Sequence, residues 1–181
     1  MKKGHSLFAL LLNVVFLDST AVAQETQETD IEQLMSKPVV TDVAKGCPGI
    51  VRDFVKDRHR VFTLGSFGKL MRYYDPDAVI NVSLAVHGQA AKRETMDLSG
   101  RLTDLQWARR LANQYEHVQL DGKCDIHDNY VRYTGKEVEK FMITGRRSYY
   151  LLTTYTLRVE RAGYRIVEDD EDTTKYPIAR D

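Results

Sequence analysis

The chain predicts an α+β domain, with about three N-terminal helices and a mainly antiparallel sheet. Two patterns carry that expectation. Apolar residues recur at helical spacing through the first half, as in Ile50, Val51, Phe54, Val55, Val61 and Phe62. From His117 onward the period becomes strict alternation, clearest in Tyr149, Leu151, Thr153, Tyr155, Leu157 and Val159.

The elements follow in order. Lys2 and Lys3, the apolar run Leu7 to Leu17 and Ala21-Val22-Ala23 predict a signal peptide over 1–23, cleaved after Ala23. The run is too short for a transmembrane helix, which needs about 20 apolar residues, and the layout points to the periplasm or secretion. Residues 24–48 read as a flexible acidic lead ending in the turn Gly46-Cys47-Pro48-Gly49. A first helix then runs to Leu64-Gly65. A second is expected where Phe67, Leu70, Met71 and Tyr74 fall on one face between Ser66 and the stop at Pro76.

Ala78 to Val86 reads as a strand, with Glu94 to Leu98 as its returning partner. Thr103 and Gln106 form a capping box for a third helix, whose face carries Leu105, Ala108, Leu111, Ala112 and Tyr115, with Trp107 packing beside it. Strands are expected over 117–126, 130–133, 137–144, 148–160 and 164–168, the last two joined by the turn Arg161-Ala162-Gly163. Residues 169–181 read as an acidic, irregular tail.

Charge excludes one partner class. The chain has 26 Lys and Arg against 26 Asp and Glu, and Arg109-Arg110 and Arg146-Arg147 are only local pairs. Nucleic acid is not an expected partner. Two cysteines, Cys47 and Cys124, favour a disulfide in an oxidising compartment that would pin the start of the first helix to the sheet. The alternative is a pair of free buried thiols.

Two patches resemble the nuclear transport factor 2-like superfamily: Tyr73-Tyr74-Asp75-Pro76-Asp77-Ala78-Val79-Ile80, and Thr154 to Glu160 followed by Gly163-Tyr164-Arg165-Ile166-Val167. The resemblance spans 49–168. It implies a curved sheet wrapped around helices into a cone, often dimeric through the exposed sheet face, with a mouth able to hold a small apolar ligand. Ketosteroid isomerases of this superfamily place a carboxylate base where this chain has Asn81-Val82-Ser83, and an oxyanion-hole tyrosine near Arg58-His59. Neither residue type is present here. A neutral amide or hydroxyl does not abstract a carbon-bound proton.

His59, His87, His117 and His127 are acid–base candidates, and Asp75, Asp77, Asp97 and Asp125 could orient them, but no spacing joins such a pair. The candidates for lining a ligand pocket are Tyr73, Tyr74, His117, Tyr130 and Tyr155, aromatic or polar-tipped residues on expected elements. No cofactor and no metal site is expected. Cys124 and His127 would point to opposite faces of a strand, and Glu168 to Asp172 lacks the glycine of a calcium loop.

Two readings stand. The first is an exported, non-catalytic binding or assembly module, a homodimer or a subunit of a cell-envelope complex. The second is a small-molecule enzyme of cyclase, dehydratase or isomerase type with a tyrosine- and histidine-lined cone. A deep pocket floored by a histidine or carboxylate favours the second, and a cone filled by its own side chains favours the first.

Overall fold

The computed structural model describes residues 31–36, 43–64, 66–111, 114–142 and 148–178. The expected signal segment 1–23 and the beginning of the lead lie outside the described residues. Helix α1 (Gly49–Leu64) is followed by two 3-10 turns (Phe67–Lys69 and Met71–Tyr73), β1 (Tyr74–Val86), β2 (Lys92–Met96) and α2 (Leu98–Leu111). Four long strands complete the chain: β3 (Gln114–Ile126), β4 (Tyr130–Met142), β5 (Tyr149–Glu160) and β6 (Arg165–Pro177). They form one six-stranded sheet in the order β2-β1-β6-β5-β4-β3. The β1–β6 pairing is parallel and the other four are antiparallel.

Helix α1 exists because Val51, Phe54, Val55, Arg58 and Val61 form one buried stripe. Phe54 sets its ring edge-on against Tyr73 and Tyr74, at 5.5 and 6.0 Å between centroids. The expected second helix is not formed. Its span is short, holds Gly68 and ends at a proline, too little chain to offset helix nucleation, so it closes as 3-10 turns. Tyr74 already belongs to β1, and Pro76 falls in the break in pairing between Tyr74 and Val79, where no ladder donor is needed.

Helix α2 begins earlier than the capping box predicts. Asp97 caps it, accepting from the Gly100 backbone N–H at 2.7 Å, so Thr103 sits inside the helix and bonds back to the Ser99 carbonyl. Trp107 remains 51% exposed rather than packed.

Two strand boundaries also differ from expectation. The expected strands 130–133 and 137–144 are, over their described residues, the single strand β4 ending at Met142, because Gly135 continues the ladder opposite Gly122 and Tyr155. The expected irregular tail is instead strand from Asp169 to Pro177, most of β6, in which Asp169, Glu171 and Lys175 are buried. Acidic composition reads as solvated tail, yet alternate residues of this stretch face inward. The hairpin turn before β6 is as expected, with Gly163 at φ +89°.

The lead is not wholly loose. Residues 31–35 form a helical turn whose Ile31 packs with Val118, Val138 and Tyr150 on the outer face of the sheet, and the Tyr150 hydroxyl donates to Glu32 at 3.0 Å. Cys47 and Cys124 are joined in a disulfide. It anchors the turn before α1 to β3, so α1 lies across the inner face of the sheet.

Candidate active site

Residues directly opposite on neighbouring strands share a face, so the register writes the inner surface row by row. One end is apolar: Ile126, Val131, Val159, Ile166 and Tyr74 form a row. Further along, the rows turn polar. Gln119, Glu137, Thr153, Thr173 and Leu84 stand together, and next to them His117, Glu139, Leu151, Lys175 and Val86. The ionisable members of both rows are buried, Glu137 completely.

Arg58 descends from α1 onto this surface. It donates to both carboxylate oxygens of Glu137, with Nη2 2.6 Å from Oε1 and Nε 3.0 Å from Oε2. Its Nη2 also lies 3.3 Å from Glu171, and its guanidinium covers the Tyr155 ring at 4.4 Å. Arg101 from α2 pairs with the other Glu171 oxygen. Burial opposes charge on Arg58, but Glu137 and Glu171 outweigh it and hold the guanidinium protonated. For Glu137 burial likewise works toward neutrality, and Arg58 and His117 outweigh it, so its carboxyl titrates well below the usual range.

The neighbouring carboxyls behave in the opposite way. Burial first, and the Glu137 charge second, push Glu139 up to about 7. Burial and Glu171 push Asp169 up to about 7 as well, while the Tyr74 hydroxyl donates to it at 2.6 Å. One carboxyl held ionised beside another that titrates near neutrality is the separation that acid–base chemistry uses.

Two histidines join the cluster from the β3 side. His117 Nε2 is 3.0 Å from Glu137 Oε2, and His117 Nδ1 is 2.9 Å from Nδ1 of the half-buried His59 on α1. Burial and His117 lower the His59 pKa. His117, Glu137 and Glu139 bring ligand atoms within 4.8 Å of one another, the donor set a divalent cation would need. The Arg58 guanidinium already supplies the positive charge at Glu137, so the set reads as a proton-holding cluster.

A cavity of about 70 Å³ opens over these rows under α2. Glu137, Glu139, Glu171, Arg58, Arg101 and Asp104 supply its charge, with Thr153 and Thr173 as hydroxyls and Phe141, Leu84 and Leu105 among its apolar walls. The five pocket candidates are dispersed. Tyr73 donates to Asp57 at the flank of α1, and Tyr74 reaches Asp169 at the apolar end. Tyr155 lies beneath Arg58 and bonds Gln119, and Tyr130 stacks on His127 away from the cavity. Of the five, His117 is the one that bonds a carboxylate of the cavity floor.

Glu137, Glu139, Glu171, Arg58 and Arg101 are not among the pocket or acid–base candidates read from the sequence. There Arg58 is met only near the isomerase tyrosine position, and Glu171 only within an acidic run. The available signal for the first two is phase: they continue the inward alternation of Val131, Tyr133, Gly135 and Phe141 on one strand.

No family model and no curated protein matches the chain. Solved structures do. A hexachlorocyclohexane dehydrochlorinase, LinA-type3 from Novosphingobium barchaimii LL02, is 16% identical at a TM-score of 0.52, over 72% of this chain and 88% of its own. A candidate scytalone dehydratase from Novosphingobium aromaticivorans DSM 12444 is 9% identical at 0.54, over 73% and 87%. The beta subunit of a candidate aromatic-ring-hydroxylating dioxygenase from the same strain is 14% identical at 0.54, over 72% and 90%. These similarities establish the nuclear transport factor 2-like cone, here with a mixed sheet.

Proposed function

We propose that the protein is a small-molecule enzyme that moves a proton at carbon, as in elimination or isomerisation, within the cone. The observation that carries this reading is Glu139, a buried carboxyl facing the cavity and titrating at about 7. Near neutrality it divides between a base that accepts a carbon-bound proton and an acid that returns one. Arg58 and Arg101 face the same space, where negative charge developing on a substrate oxygen would be stabilised in a dry surrounding.

The reading reverses the order of the two sequence-based expectations. It is supported by neighbours that bear the names of a dehydrochlorinase and a dehydratase. Loss of hydrogen chloride or of water from adjacent carbons requires removal of a proton from carbon. The cavity is smaller than the roughly 300–1,000 Å³ of ordinary ligand sites, so the substrate is a compound of a few heavy atoms.

The test is wash-out of α-protons from acetone, butanone and cyclopentanone in D2O followed by NMR, together with dehydration of 4-hydroxybutan-2-one followed by enone absorbance. The expected result is turnover above buffer for at least one probe, falling about 100-fold or more in Glu139→Gln. No rate above buffer with any probe would sink the proposal.

The small cavity, lined in part by the protein's own Arg58–Glu137 and Arg101–Glu171 ion pairs, favours a second reading, an exported binding module. The disulfide fits an oxidising compartment, and among the described residues no helix is long and apolar enough to cross a membrane. Native purification from the cell envelope with mass spectrometry tests this reading. Co-purifying envelope proteins support it, and a protein that purifies alone counts against it.

A further inference from the structure

A proton taken up in a closed cone must leave it before the next turnover. The cavity is covered by α2, and Glu137 and Glu139 on its floor are buried. A line of hydrogen bonds leads away from that floor. Glu137 Oε2 meets His117 Nε2 at 3.0 Å, and His117 Nδ1 meets His59 Nδ1 at 2.9 Å. His59 is only half-buried, on the flank of α1 next to β3.

We propose that His117 and His59 form a proton relay between the carboxylates of the cavity and the solvent-facing side of α1. The inference rests on the proton-transfer reading above, and the relay ends beside Glu139, since His117, Glu137 and Glu139 bring ligand atoms within 4.8 Å of one another.

The protonation pattern follows from the contacts. Glu137 accepts from Arg58 through both oxygens, so at Oε2 it acts toward His117 as an acceptor, and His117 Nε2 carries the donated hydrogen. A ring whose Nε2 carries hydrogen leaves Nδ1 bare when neutral, and His117 Nδ1 then accepts from the Nδ1–H of His59. Two Nδ1 atoms 2.9 Å apart hold one proton between them, never two.

Inward transfer adds a solvent proton at His59 Nε2 and moves the Nδ1 proton of His59 to His117 Nδ1. The Nε2 proton of His117 passes, by way of Glu137 Oε2, which Arg58 keeps ionised, to Glu139, whose carboxylate lies within 4.8 Å of both. Outward transfer reverses each step. Only N–H and O–H bonds form and break, and one proton crosses. A reaction that takes a proton and later returns it resets both rings by the same route.

The placement has a structural origin. Arg58 and His59 are consecutive on α1 and diverge by about 100° around the helix, one toward Glu137 and the other toward β3. The Cys47–Cys124 bridge fastens the start of α1 to β3 and holds the seam that the two histidines span.

The test uses the full chain with ¹⁵N-labelled histidine. A scalar coupling across the Nδ1···Nδ1 bond, and a His117 titration displaced in His59→Gln, are expected. Independent titrations with no such coupling would overturn the relay, whatever the activity. In the wash-out assay at low buffer, His59→Ala is expected to fall roughly tenfold or more, with recovery on adding imidazole, whereas Glu139→Gln is not rescued. An unchanged rate in His59→Ala, or a loss that imidazole does not repair, also overturns it. Native protein inactive toward every probe defeats the proposed function and leaves the relay to be decided by the NMR result.

Discussion

On the inner face of the sheet, Arg58 and Arg101 meet Glu137 and Glu171 beneath α2, out of water. On the outer face, Arg132 and Arg158 stand with Glu168, Asp170 and Asp172 around a groove of about 330 Å³. The residue types are the same, and for the acids adjacent positions on one strand supply both sets, as Glu171 and Asp172 of β6 illustrate. Water separates their consequences. Outside, solvent and salt screen each charge, and a pair adds little. Inside, every charge needs a partner in contact, and a carboxyl without a cation of its own, such as Glu139, moves toward the neutral form.

The widest separation between the faces is expected from removing one partner of an ion pair. Arg58→Met leaves Glu137 without its guanidinium and Glu171 with Arg101 alone, and should cost about 3–5 kcal/mol in urea unfolding. A change below about 1 kcal/mol would mean that the inner face is hydrated, as surface pairs are. Packing is next. A Cβ on Gly135 would lie 2.5 Å from Cζ of the buried Tyr155, so Gly135→Ala should cost about 1–3 kcal/mol by the same measurement.

The pH dependence sharpens the contrast further. Glu139 titrates at about 7 in the folded protein and in the ordinary carboxylate range when unfolded. Between those values the folded state holds the extra proton, so this group's contribution to stability declines as pH rises through that window and levels off above it. Asp169 contributes in the same sense. Glu137, held low, acts oppositely, and its contribution is lost as pH falls below the unfolded value. Glu139→Gln should therefore flatten the decline in urea midpoint from about pH 4.5 to 7. An unaltered slope would contradict the shift. The smallest effect belongs to the outer groove, where Arg158→Ala should change stability by no more than about 0.5 kcal/mol.

Legibility in the sequence follows the same division. Strands with an apolar inner face, such as β5, are readable because alternation needs only one element to be visible. The second helix misleads because Tyr74 and Pro76 are committed to a strand whose partner, β6, lies far along the chain. The carboxylates of the site are hidden by their own chemistry, since charged residues are ordinarily solvated. Asp169 and Glu171 therefore read as part of an acidic tail, although both face inward on β6. His117 is legible as a polar-tipped strand residue, but nothing near it in the chain indicates Glu137 or His59.

Residue identity and short-range period are enough for the α+β class, the resemblance to the cone, the cysteine pair and the missing isomerase base. Which charges meet is a property of the folded chain alone. Arg58 and Glu137 are 79 positions apart, and Arg58 and Glu171 are 113 apart. Contact between them depends on strand register and on how α1 lies over the sheet, and burial then converts that contact into shifted protonation.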